Sequence, residues 1–220
     1  MLDESNLESI FASPELPKIA EVINSKLATE RKAREAFRRE LPPSVKAEFI
    51  AGEVVMHSPA KAKHLRVTRR LLKLLDTFAH RNGLGEVFSE KALICLTRND
   101  YEPDLVFFGK DKAATFGPDH MQFPAPDFVV EVLSESTVSR DQGVKFQDYA
   151  QHGIAEYWII DCDERTIEQY VLREGESGYH LAQKLAGGSI ESRVVAGFAI
   201  PIAAVFEDQA NAAALAQLCD

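Results

Sequence analysis

The chain has 220 residues, 45% of them hydrophobic and 27% charged, the balance of a soluble globular protein with one domain and at most a short appendage. A net charge of −9 argues against a protein that coats nucleic acid by charge alone. No apolar run approaches the ~20 residues that span a bilayer, and the first residues lack a basic start followed by an apolar stretch, so the expectation is a cytoplasmic protein without membrane contact.

The charge is uneven: residues 1–81 carry a surplus of Lys and Arg, and 82–220 a surplus of Asp and Glu, which leaves room for a local basic face. Residues 16–40 have helix-favouring composition, ended by Pro42-Pro43, and predict a helical N-terminal arm over 1–45. Two readings of the arm stand side by side. It packs on the core or on a second subunit, as the interleaved Glu30, Glu35 and Glu40 favour, or it touches nucleic acid through Arg31, Lys32, Arg34, Arg38 and Arg39.

KAEFIAGEVVMH (46–57) reads as two short strands about Gly52, after which Ser58-Pro59 opens a helix over 61–81. At 100° per residue, Leu65, Val67, Leu71, Leu72, Leu74, Leu75 and Phe78 share one face of that helix. Arg66, Arg69, Arg70 and Lys73 share the opposite face, and His64 sits in the first turn on the inward side. Strand-like runs follow at 86–97, 102–108, 125–134 and 156–161, with a helix over 138–152 stopped by Gly153 between the last two. The predicted order is helix, three strands, helix, strand. Runs at 166–172, 179–185 and 190–195 extend the sheet at an edge, and 201–220 reads as a C-terminal tail.

Asp104 and Glu131 stand out because each sits in an otherwise apolar strand, where a bare carboxylate is costly. Alternation puts Asp127, Val129, Glu131 and Leu133 on one side and Phe128, Val130 and Val132 on the other, turning Glu131 away from the most apolar surface. If the 103–108 strand pairs alongside, Asp104 and Glu131 approach one ion with the hard oxygens that Mg²⁺ prefers. Otherwise both are strand-end carboxylates bonded to loop backbone or a nearby lysine.

Asp141, Lys145 and Tyr149 recur every four residues and form one helical stripe. They make either a surface ion pair or a device that sets the Lys145 ammonium against a scissile phosphate or attacking water. His64 contacts substrate or metal, or is a hydrogen-bonded core histidine. Glu48 and Glu53 offer a further carboxylate or are surface strand residues. Ser134, Ser136 and Thr137 read as a helix-entry cap. There is no G-x-S-x-G elbow, P-loop or Rossmann fingerprint. Cys95, Cys162 and Cys219, far apart and without zinc-site spacing, read as reduced structural thiols.

KAEFIAGEVVMHSPAKAKH, NDYEPDLVFFG, PAPDFVVEVLSEST, the D-x-x-x-K-x-x-x-Y stripe, HGIAEYWIID and RTIEQYVL occur in that order across about 46–172. Together they resemble the Uma2 family of restriction-endonuclease-like proteins, within the PD-(D/E)XK nuclease superfamily. The resemblance implies an α/β restriction-endonuclease-like core over 46–200, with extra edge strands and the N-terminal helical arm. It implies an endonuclease dependent on Mg²⁺ or Mn²⁺ that hydrolyses DNA phosphodiesters, with Asp104 and Glu131 as metal ligands. Where the superfamily usually has lysine two residues after the acid, this chain has Leu133. The resemblance implies that Lys145 takes that place, with Tyr149 or His64 in support. The other class of reading is a catalytically inactive nuclease fold that acts as a binding or scaffold module, favoured by Leu133 and the acidic C-terminal portion. A homodimer suits the cutting of both strands of a duplex.

Overall fold

A computed structural model describes residues 4–42 and 45–219. Pro43, half of the proline pair expected to close the arm helix, lies outside them, as does the side chain of Cys219. The arm consists of α1 (Glu4–Phe11) and α2 (Leu16–Glu40). Leu41 turns extended ahead of Pro42, as a residue preceding proline prefers. Only the C-terminal half of α2 packs on the rest of the chain, through Phe37, whose ring lies 5.8 Å from that of Phe49.

β1 (Ala47–Ile50) and β2 (Glu53–Met56) form a hairpin whose two turn residues, Ala51 and Gly52, both take positive φ, as a tight two-residue hairpin requires. α3 (Ala62–Arg81) buries Val67, Leu71, Leu74, Leu75 and Ala79, the three-four spacing of its apolar face. Two positions depart from the helical projection. Leu65 is exposed, and Arg70 is buried, because a C-terminal helix covers the flank where Arg70 projects.

The first of the next two expected strands breaks in two. The run at 86–97 becomes β3 (Gly85–Ser89) and β4 (Leu93–Cys95), separated where Glu90 takes a φ of 60°. The run at 102–108 holds one strand, β6 (Leu105–Gly109), while β5 (Asp100–Tyr101) lies just before it, with Pro103, which has no N–H for the ladder, between the two. After α4 (Lys110–Ala113) come β7 (Gln122–Phe123) and β8 (Phe128–Val132). The helix expected over 138–152 is also two pieces, α5 (Val138–Asp141) and α6 (Val144–Gln151). A Cβ on the intervening Gly143 would sit 2.4 Å from the Ser139 carbonyl oxygen, so only glycine makes this break.

β9 (Glu156–Asp161), β10 (Thr166–Leu172) and β11 (Tyr179–Leu185) complete a six-stranded sheet, β11-β10-β9-β8-β6-β3. Its strands pair antiparallel except β8 and β9, whose parallel register is made by the α5–α6 crossover. β4 and β5 belong instead to a five-stranded sheet, β2-β1-β5-β4-β7. The run at 190–195 does not extend the main sheet. β12 (Ser189–Glu191) pairs with β13 (Ala199–Pro201) in a separate ribbon. Within 201–220, α7 (Ala203–Phe206) and α8 (Asp208–Cys219) pack on α3, with Ala204, Val205 and Ala214 in the main core.

The six-stranded sheet has apolar layers on both faces. Phe128, Val130, Val132, Trp158 and Ile160 join α3, while Val129, Tyr157 and Ile159 join Tyr149, Tyr101 and Ile94. Glu131 shares the second face: as alternation requires, it points away from the larger core of Phe128, Val130 and Val132, yet it is buried in the smaller one.

Candidate functional site

Asp104 immediately precedes β6, and Glu131 stands in β8, the strand paired with it through Leu105 opposite Val130. The expected pairing therefore forms, and both carboxylates are buried. Asp104 is densely held. Lys46 Nζ donates to Oδ1 at 3.2 Å, the Val132 backbone N–H donates to Oδ2 at 2.8 Å, and His64 Nε2 sits 3.0 Å from Oδ2. Burial works to raise the Asp104 carboxyl, but the His64 hydrogen bond and the Lys46 charge outweigh it and hold the group below the ordinary carboxylate range. His64 is raised in turn, its partnership with Asp104 overcoming the opposing effect of burial.

Glu131 has the opposite balance. Its Oε1 accepts from Lys145 Nζ at 2.9 Å and from the Tyr149 hydroxyl at 3.0 Å. Burial nevertheless dominates, with Asp141, Asp104 and Glu48 adding negative charge nearby, and the carboxyl is pushed up to about 8.

The Lys145 ammonium is the hub. It lies 2.8 Å from Glu48 Oε1, 2.9 Å from Glu131 Oε1 and 3.2 Å from Asp141 Oδ1, and its side chain is 1% exposed. The reading of Asp141 and Lys145 as a surface pair is thus corrected: both are fully buried, because Gly143 sets α6 down on the sheet. Burial lowers Lys145, but the three carboxylates more than reverse this and raise it well above the usual lysine value. Burial also raises Glu48, yet the Lys145 charge and the adjacent His57 bring it down to about 2. Asp141 stays raised by burial, and neither of its oxygens receives a well-aligned hydrogen bond.

The structure therefore brings together Asp104, His64 and Lys46 on one side, and Glu131, Lys145, Tyr149, Glu48 and Asp141 on the other. Glu53 is exposed on β2 and takes no part. Lys46 was missed, although its signal exists: Lys46 and Glu48 are two apart at the entry to a buried strand, hence on one face. Two of the five basic arm candidates are also accounted for. Arg34 and Arg38 both bond the buried Asp100 carboxylate, which corrects their candidacy as nucleic-acid contacts.

Among the described residues, no group of three His, Cys, Asp or Glu is placed to hold a metal ion. The donor chemistry fits Mg²⁺ in a sparser mode. Such an ion commonly takes one or two protein carboxylates and completes its shell with water and substrate phosphate. Asp104 supplies an ionised carboxylate, and both hydrogen bonds to Glu131 fall on Oε1, leaving Oε2 uncommitted. Among the described residues, no helix is long and apolar enough to cross a membrane.

Three comparisons bear on this arrangement. An uncharacterized protein, sll1609, from Synechocystis is 29% identical over 140 residues, covering 63% of this chain and 78% of that protein. A crystal structure of a "putative nuclease belonging to DUF820" from Anabaena variabilis superposes with a TM-score of 0.63 at 18% identity, covering 76% of this chain and 94% of that one. That likeness establishes the fold, the restriction-endonuclease-like α/β arrangement of helix, three strands, helix and strand. The sequence profile of the Uma2 family, described as "Putative restriction endonuclease", matches residues 34–203 and so takes in the Asp104, Glu131 and Lys145 cluster whole. With most of its length matched, this chain belongs to the Uma2 family.

Proposed function

We propose that the chain is a metal-dependent endonuclease that hydrolyses DNA phosphodiester bonds at the Asp104–Glu131 centre. The observation that carries this reading is the contrast between two buried carboxylates on paired strands: Asp104 held ionised by Lys46 and His64, and Glu131 held close to neutrality's edge among other acids. A strand pair has no structural need of either group, and perturbed carboxylates of this kind mark chemical sites.

Asp104 and Glu131 are the residues that would hold Mg²⁺ or Mn²⁺. When bound, the ion would supply Lewis-acid polarisation of the phosphate and a water more acidic than bulk. Asp104 presents its oxygens in a fixed orientation, because donors from three separate segments hold it: Lys46 ahead of β1, His64 in α3 and Val132 in β8. Tyr149 and Lys145 orient Glu131 through Oε1. Lys145 is enclosed by carboxylates, so its role is to keep Glu48, Glu131 and Asp141 together as an internal counter-ion rather than to touch phosphate itself. Lys46 and His64, both partly exposed beside Asp104, are the groups placed to meet the phosphate.

Calorimetric titration with Mn²⁺, followed by nicking of supercoiled plasmid with and without chelator, tests the reading. Wild type binds the ion, Asp104→Asn loses binding by at least tenfold, and nicking stops on chelation. Unaltered Mn²⁺ binding in Asp104→Asn removes the metal centre from this site. Absence of nicking by the Mn²⁺-loaded protein supports the second reading, a nuclease fold used for binding, which Leu133 at the usual lysine position favours.

A further inference from the structure

The arm helix carries more apolar surface than its own domain covers. Residues 21–27 of α2 are exposed, Glu21, Val22, Ser25 and Lys26 facing the hairpin turn at Ala51–Glu53 only across an open cleft, and they include Val22 at 64%, Ile23 at 51% and Leu27 at 38% exposure. Ile10 and Phe11 of α1 add to the same end of the chain. Helices are held mostly by packing an apolar face, and two bare turns with three large aliphatic side chains lack that support. Ile23 and Leu27 continue, at three-four spacing, the stripe Glu30, Arg34 and Phe37 with which α2 docks on its own domain.

The surface under that stripe is also incomplete. Phe37 caps a small layer made by Ala47, Phe49 and Leu93 on one face of the five-stranded sheet. Val54 and Met56 lie directly opposite Phe49 and Ala47 across the hairpin and extend this face outward, 51% and 61% exposed. β2 is an edge strand of that sheet, and an apolar exposed edge invites pairing with another chain. Most of the large exposed hydrophobic side chains of the described residues belong to α1, α2 or β2.

We propose that this face is a homodimer interface, in which the N-terminal half of α2 of one copy lies over the Val54–Met56 strip of a second copy, reciprocally about a two-fold axis. A second copy is the occupant because one chain carries both halves of the contact, the bare helical stripe and the bare strand face, and the C-terminal half of α2 already covers this sheet face. α1, α2 and β2 supply seven of the large exposed hydrophobic side chains of the described residues to that contact. Residues 4–33, which carry the helical half of this contact, lie outside the segment matched by the Uma2 profile, and the Val54–Met56 strip lies inside it.

Sedimentation of the full chain at about 50 μM tests the proposal independently of any nuclease activity. Wild type is expected at twice the 24.5 kDa chain mass. Ile23→Asp with Leu27→Asp, and separately Met56→Arg, are expected at the mass of one chain while keeping the wild-type circular dichroism, since these side chains are exposed within a single copy. A monomeric wild type overturns the proposal and leaves the face to a different protein. A dimer that persists in the arm variant, or in Met56→Arg, overturns it by placing the interface elsewhere.

Discussion

Lys145 decides the electrostatics of the site at the scale of single residues. One ammonium faces three carboxylates at 2.8–3.2 Å, so the cluster carries excess negative charge unless a proton or a cation joins it. Removing one partner from a buried ionic cluster typically costs about 3–5 kcal/mol. Lys145→Met should lower the urea unfolding free energy by about that amount, and adding Glu48→Gln should recover at least about 1 kcal/mol through relief of repulsion. Strict additivity of the two changes would show that Lys145 does not act as the counter-ion. Asp104, Glu131 and the Asp141-Lys145-Tyr149 stripe were legible in the sequence because a carboxylate in an apolar strand and a charged i, i+4 row are both anomalies. Lys46 was legible only through its spacing from Glu48, its partner Asp104 lying far along the chain, and the burial of Arg70 was not legible at all, since it depends on α8.

Two elements owe their position to specific local chemistry. The α5–α6 break is enforced by Gly143, and Gly143→Ala should destabilise the fold by about 2–3 kcal/mol through the clash with Ser139. A thermal midpoint within a degree of wild type would contradict this. The arm is fastened by Asp100, which accepts hydrogen bonds from Arg34 and Arg38. Burial alone would raise Asp100, but the bonds from Arg38 and Arg34 outweigh it and keep the carboxyl depressed. A depressed folded-state value means that the contribution is present above the unfolded aspartate value near 3.9 and is lost as pH falls through the lower folded value. Asp100→Asn should therefore be less stable than wild type by about 3 kcal/mol at pH 7, with the gap narrowing below about pH 4. An equal gap at pH 7 and pH 3, read from denaturant unfolding, would contradict the assignment. The sequence shows the helices and most strands by periodicity. It does not show the strand break at Glu90, because an apolar run reads the same whether one sheet receives it or two.

The whole molecule is a six-stranded sheet clasped by a smaller five-stranded one, and the candidate site lies where they meet. Glu48 comes from the smaller sheet, and Asp104 and Glu131 come from the larger. Trp158, Gln169 and Ser192 converge on the buried Glu156 carboxylate at the far end of the larger sheet. Glu156 is wholly satisfied there by neutral donors, among them the N–H groups of Arg193 and Val194. Glu156 thus differs from the candidate pair: it holds a loop through neutral donors, while Asp104 and Glu131 meet the charged groups of Lys46 and Lys145. The order helix, three strands, helix, strand was readable from sequence, and so was the family. The assembly of the smaller sheet was not, because it rests on pairing between segments some fifty residues apart, as β1 pairs with β5. The central claim is tested most directly by plasmid nicking in Mg²⁺ or Mn²⁺ with wild type, Asp104→Ala and Glu131→Ala at matched purity. The account predicts nicking by wild type and a loss of at least a hundredfold in both variants, about 2.7 kcal/mol in the barrier. Equal nicking by all three proteins would contradict it.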